Sequence, residues 1–459
     1  MKKEETLNRN SFSNFPPNQL KRQVSVLTNS EKIIRPLGKN TRWAISSLLS
    51  SLIILNYFDR VAVAAAAPEL QKAFSLSAFE MGLVFTIYNY AYTVMQLPIG
   101  GMLDKWGVGW VTRIGMILWT LLTISIVFVQ GTLLLYILRF LTGITSASAF
   151  PAAAKATANW FPFHERGFAN ALFDSSAKLS NVIGGPLVAI LITLYDWRIA
   201  FLTIGVINVI FTVIFWKYYD EPRSHKSISK EEINYIQKYG DLSNMPSYKV
   251  LLVLKTFFKN RKVWGLMIGF TGYGYTFNLL LLWLPTFFRE QFKLDLLSSS
   301  LYTAIPWLIA AISGIIAGGW LVDFLIGKGR ASNKVYKGII VIGMTVGLTF
   351  LGSIFTENPI MSMLFISIGL AGISATAPVG WTIAAKLSPP GTTAVLSSMV
   401  NFSNNLFGGI IATFLTGYIV DKTGSFNMAF VLAAAVLVIG LFFYTAVLGK
   451  IEQIPIEKT

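Results

Sequence analysis

The chain has 459 residues, 54% of them apolar and 13% charged, and a formal net charge of +16 at neutral pH. A soluble chain would be about one quarter charged, which argues against an ordinary soluble enzyme. There is no cysteine, which excludes disulfides and thiolate chemistry, and the two histidines, His164 and His225, lie far apart in polar stretches that make a poor metal centre.

Residues 1–42 are polar and basic with no apolar run, so they are expected to form an unstructured cytoplasmic tail rather than a signal peptide. Twelve apolar runs follow, each about 18–25 residues and so long enough to cross a bilayer. Their approximate limits are 43–67, 79–102, 113–130, 132–153, 167–192, 199–218, 263–288, 300–322, 338–355, 360–385, 393–420 and 427–448. The expected fold is therefore all-α, with twelve transmembrane helices in two six-helix halves, 43–218 and 263–448. A polar, basic and partly helical cytoplasmic loop, 219–262, divides them, and 449–459 form a second cytoplasmic tail.

The loop charges set an expected orientation. One set of alternate connections carries about 30 lysines and arginines, whereas the other carries Lys72, Arg198, Arg289, Lys293 and Lys422. By the positive-inside rule the basic set, with both termini, is cytoplasmic. The same rule accounts for the net charge without a nucleic-acid partner. Two six-span halves joined by a long linker outline a transporter with its solute site between them.

Charges inside the spans carry the functional signal, because each costs roughly 2.5–3.5 kcal/mol on insertion scales. They are Asp59 and Arg60 in the first span, Arg139 in the fourth, and Asp174 and Lys178 in the fifth. Asp174 and Lys178 are four apart and can pair on one helix face. Arg139 has no acidic residue one or two turns away in its own span. Three cations against two anions favour an anionic solute, which arginine's fork suits. The alternative is a set of intramolecular ion pairs that lock the half-bundle. The second half offers neutral polar and aromatic groups instead, among them Tyr273, Tyr275, Asn278, Trp307, Ser374, Thr376, Trp381, Asn401, Asn404 and Asn405.

The loop after span two reads Gly100-Gly101-Met102-Leu103-Asp104-Lys105-Trp106-Gly107, with Arg113 beyond it. At the same place in the second half stands Gly318-Gly319-Trp320-Leu321-Val322-Asp323. With these come Asn56-Tyr57-Phe58-Asp59-Arg60, Gln96-Leu97-Pro98-Ile99-Gly100-Gly101, Arg139-Phe140-Leu141-Thr142-Gly143, Phe150-Pro151-Ala152, Trp283-Leu284-Pro285, Asn401-Phe402 and Asn405-Leu406. In order and spacing the chain resembles the major facilitator superfamily, specifically its anion:cation symporter branch of sugar-acid carriers such as those for hexuronate, galactonate and glucarate.

The resemblance implies that Asp59 titrates with the coupling proton, with Asp174 the other deep carboxylate. It further implies that Tyr92, with Tyr88 one turn earlier, and Asn405 face the solute. Gly101, Asp104, Lys105, Gly107, Arg113 and Asp323 would act in conformational gating. Ser146 stands seven residues after Arg139, where members carry a coupling glutamate.

The expected protein is thus no enzyme and holds no cofactor or metal. It would be a monomeric, multi-pass plasma-membrane symporter that imports a small organic anion with protons, binding it through Arg60, Arg139 and Lys178. Sodium coupling, phosphate or organic-anion exchange, solute efflux and a non-transporting receptor are the alternatives.

Overall fold

The computed structural model describes residues 40–162, 165–240, 250–389 and 392–455. The expected tail, apart from Asn40, Thr41 and Arg42, lies outside these residues, as does His164. The chain is a bundle of long helices, the form that satisfies every backbone group in hydrocarbon. Span 1 is Thr41–Ala65, and spans 2 and 3 lie within Ala78–Ser125 on either side of a break at Gly107. Span 4 is Thr132–Trp160, span 5 Arg166–Leu194 and span 6 Trp197–Tyr218. The linker contributes helices Lys230–Gly240 and Val250–Phe258. Span 7 is Arg261–Phe292, span 8 Leu296–Gly327, span 9 Ser332–Phe355 and span 10 Pro359–Leu387. Span 11 runs from Thr393 to Thr423, and span 12 is Asn427–Val447.

Local chemistry sets the helix ends. Span 2 starts on a capping box: Ser77 Oγ accepts from Glu80 N at 3.1 Å, and Ser77 N donates back to Glu80 Oε2 at 2.8 Å. Asp196, Asn260, Asp295 and Asn358 cap spans 6, 7, 8 and 10. Hydrogen bonds from Ser298 hold the exposed Asp295 carboxyl below the usual carboxylate range. Spans 2 and 3 were expected as separate helices. They are two helices, broken at Gly107, which takes φ +80° and ψ 161°, a backbone region that side chains disfavour. Val108 N, at the start of span 3, donates to Glu221 Oε1 at 3.2 Å.

Burial sorts the spans. The apolar windows of spans 1 and 7 are 78% and 94% buried within the bundle, whereas those of spans 6, 8, 9 and 12 are 39%, 28%, 33% and 33% buried. Across the middle, span 1 packs on span 7, span 2 on span 11 and span 5 on span 8.

The apolar core shows how the halves meet. One cluster takes in the second half together with Ala62–Ala67, Val84, Phe85 and Phe201 of the first. These first-half residues lie toward the bundle face opposite the chain ends. A second cluster, with Leu49, Phe58, Tyr88, Trp119, Trp160 and Phe215, joins the first half to Ile236 of the linker and lies toward the face where the ends sit, the terminal face. The halves therefore share a core at the opposite face and separate toward the terminal face.

Candidate solute-binding site

Span 1 is apolar around Asp59 and Arg60, so the helix carries both side chains into the bundle interior. Asp59 is 2% and Arg60 4% exposed. Arg60 sits in an aromatic cage: its guanidinium carbon lies 4.8 Å from the Tyr57 ring centre, 4.9 Å from Tyr88 and 4.3 Å from Tyr92. Its Nε donates to Tyr88 Oη at 3.0 Å, and Nη2 is buried without a partner.

Arg139 also lies over this ring, 4.3 Å from the Tyr88 centre. It is 1% exposed, and its Nε and Nη1 have no hydrogen-bond partner. Gly143, one turn beyond, makes this approach possible: a Cβ there would lie 2.4 Å from Tyr88 O. Among the described residues neither arginine makes an ion pair, although both act electrostatically on Asp59. Asp59 Oδ1 accepts from Thr123 Oγ1 at 3.0 Å, and Oδ2 is buried and unpartnered.

A tight cleft, with no space for a water molecule, lies between the halves. Arg60, Phe85, Tyr88, Asn89 and Arg139 form one wall, and Asn278, Leu281 and Leu282 of span 7 form the other. Two buried guanidinium groups without carboxylate partners are costly while the site is empty. A carboxylate would offer the acceptors they lack.

Lys178 is tied to Asp174 by a 3.1 Å ion pair, the i,i+4 geometry expected. The lysine is 3% exposed at its side chain and the aspartate 31%. Its Nζ lies where a Cβ on Gly314 of span 8 would meet it at 3.3 Å, so Lys178 stands at the seam between the halves. Asp174 acts electrostatically on Tyr57 and Tyr273, which puts it near the same central region.

Asn405 Nδ2 donates to Asn401 O at 2.9 Å and to Asn401 Oδ1 at 3.1 Å. Asn401 Nδ2 in turn donates to Gln96 Oε1 of span 2 at 3.0 Å. Sequence reasoning quoted Gln96 only as part of a motif. The spacing of Tyr88, Tyr92 and Gln96, four apart on one helix stripe, was the signal that could have singled it out.

Of the expected gating residues, Gly101 and Lys105 are exposed and Gly107 makes the turn. Arg113 Nη2 donates to Trp216 O, Tyr219 O and Asp220 Oδ1 at 3.1, 2.6 and 3.2 Å, fastening span 3 to the end of span 6. Asp323 lies in the last turns of span 8. Ser146 is fully buried, and its carbonyl accepts from Asn56 Nδ2 at 3.3 Å.

Two ion-pair sets went unread in the sequence. Arg42 is clamped between Glu165 (2.8 Å) and Glu232 (2.9 Å), which binds the linker helix to the first half. Arg289 Nη2 bridges the halves at the opposite face, 2.8 Å from Glu69 Oε1.

The Major Facilitator Superfamily model matches residues 49–413. The chain is 61% identical to the uncharacterized transporter YybO of Bacillus subtilis, over 94% of this chain and 99% of that one. It is 29% identical to the D-galactonate transporter of Escherichia coli O6:H1, over 88% of this chain and 94% of that one. A bacterial homolog of the human lysosomal transporter Spinster, in an inward-facing and occupied conformation, superposes with a TM-score of 0.70 at 16% identity, over 89% of this chain and 97% of that one. With ten helices among the described residues long and apolar enough to cross a membrane, packed around a central cleft, the chain is a transporter and no enzyme, and it belongs to the Major Facilitator Superfamily.

Proposed function

We propose that the protein imports a sugar acid or a related organic anion by proton symport across the plasma membrane, as a monomer, with both termini cytoplasmic. The observation that carries the proposal is the pair of buried arginines, Arg60 and Arg139, with unpartnered donors at a cleft between the halves. Their neutralisation by a bound carboxylate would drive closure around the solute. The relative named as a D-galactonate transporter supports a polyhydroxylated acid.

In this scheme Tyr88 and Tyr92 cage Arg60, and Asn278 with Asn89 meets the solute's hydroxyls. Asp59 exchanges the proton. Its unpartnered Oδ2 gives that proton a site between the fields of two arginines. The Asp174–Lys178 pair moderates charge at the seam. Residues 43–218 and 263–448 rock against each other, and the loops around Gly101 to Arg113 and at Asp323 set the terminal-face ends of that motion.

Sodium coupling is the second reading, favoured by three buried oxygens without hydrogen-bond donors: Asn56 Oδ1, Asp59 Oδ2 and Ser146 Oγ. Uptake into proteoliposomes of a labelled panel of sugar acids, with pH and sodium gradients imposed separately, tests both. Uptake that follows the pH gradient supports the proposal. Uptake that follows sodium alone supports the second reading, and no uptake of any sugar acid sinks the solute class.

A further inference from the structure

Span 2 and span 11 are stitched along their length by contacts between the halves. Toward the opposite face a Cβ on Gly82 would lie 3.0 Å from Gly417 Cα, and Thr86 Oγ1 and Thr413 Oγ1 lie 2.9 Å apart. At the level of the cleft Asn89 Nδ2 donates to Gly409 O at 2.8 Å. Two turns nearer the terminal face comes the Gln96–Asn401 bond at 3.0 Å. That bond is the stitch on the side where the apolar core of the first half stands apart from that of the second.

The bonding order of the amides fixes their orientation. Asn401 Oδ1 accepts from Asn405 Nδ2, which leaves Asn401 Nδ2 as the donor. Gln96 must therefore present Oε1 to it, and its Nε2 hydrogens are left over. That Nε2 is buried beside the Tyr92 hydroxyl and makes no hydrogen bond of good geometry among the described residues. Tyr92, whose ring lies 4.3 Å from the Arg60 guanidinium carbon, is one turn away on the same helix and in contact with Gln96. Asn405 opens a π-helical stretch, Asn405–Ile411, a rare backbone form concentrated at functional sites.

We propose that Gln96 is a solute-reading latch. Its Oε1 ties the first half to Asn401 of the second. Its Nε2 offers a donor to a hydroxyl or carboxylate oxygen of an anion held at Arg60. Asn405 acts as a positioning residue, holding the Asn401 amide in the orientation that the latch needs. A bound solute satisfies the orphaned donor and stiffens the Gln96 amide, so the terminal-face gate closes more firmly when the cleft is filled. The latch rests only on the two-half architecture, whereas its solute-reading part rests on the sugar-acid proposal above.

The native absence of cysteine allows a direct test in the full chain. Nitroxide labels on Ala154→Cys and Ala385→Cys, exposed positions near the terminal-face ends of spans 4 and 10, report the gate by electron-electron resonance in lipid nanodiscs. Gln96→Leu and Asn401→Leu should each move the empty-protein distances to longer values, and the double variant should move them no further. The exchanged pair, Gln96→Asn with Asn401→Gln, keeps the combined length and both amides and should restore the original distribution. With D-galactonate as the probe, the unsubstituted protein should shift toward shorter distances, and Gln96→Leu should lose that shift.

Unchanged empty-protein distances in Gln96→Leu, or an exchanged pair that behaves as the sum of two defects, would overturn the latch. A Gln96→Leu protein that keeps the full galactonate response would overturn solute reading. An unsubstituted protein that ignores D-galactonate would overturn the sugar-acid reading and solute reading with it, while the latch is still judged from the empty protein.

Discussion

Replacing Arg139 by glutamine separates a solute-binding cation from a structural one. The side chain is 1% exposed, its Nε and Nη1 are unpartnered, and its close contact is the Tyr88 ring at 4.3 Å. If a solute carboxylate supplies the missing acceptor, each charge-assisted bond is worth about 1.5–3 kcal/mol. At 1.4 kcal/mol per tenfold, losing one such bond weakens binding by roughly 10- to 140-fold. The empty protein should not suffer, because glutamine brings no charge to desolvate. Its melting temperature should stay level or rise, while stabilisation by added solute disappears. The opposite account makes Arg139 the structural partner of Asp59, and breaking a buried pair costs about 3–5 kcal/mol. Arg139→Gln would then melt several degrees lower with no solute present. Scanning fluorimetry of the purified protein, with and without a sugar acid that it transports, distinguishes the two. A large loss of empty-protein stability, or undiminished solute binding, would refute the binding role.

Other outcomes follow from the same geometry. Asp59→Asn should abolish uptake driven by a pH gradient while solute counterflow persists; gradient-driven uptake at the normal rate would remove Asp59 from the coupling step. Gly143→Ala would put a methyl 2.4 Å from Tyr88 O, so a loss of about 1–3 kcal/mol and weaker solute binding are expected, read by thermal melting and uptake. Glu232→Ala strips Arg42 of the carboxylate 2.9 Å away, and a fall in thermal stability approaching the roughly 3–5 kcal/mol of a broken buried pair should appear, with exchange per folded molecule retained. The Glu69–Arg289 bridge is 25–29% exposed, so its energetic worth is modest, about 0.2–1 kcal/mol. Even so, Glu69→Gln should widen label distances at the opposite face, and the exchange Glu69→Arg with Arg289→Glu should narrow them again.

The all-helical membrane fold was legible from the chain because a bilayer tolerates only internally bonded backbone, so long apolar runs read as helices. The Asp174–Lys178 pair was equally legible, since i,i+4 spacing is a property of one helix. That Arg139 lacks an acid in its own span could also be read directly. Whether another helix supplied one could not, because the answer depends on which helices pack beside span 4. The tertiary structure decided that the two arginines share the Tyr88 ring and that neither makes an ion pair among the described residues. It joined Gln96 to Asn401 and Glu69 to Arg289, residues hundreds of positions apart whose pairing exists only once the two halves meet. It also tied the Asn405 Nδ2 to Asn401, its neighbour one turn earlier. Local spacing determined the elements and the charges they carry, and the packing of one half on the other determined which of those charges and amides are left without a partner.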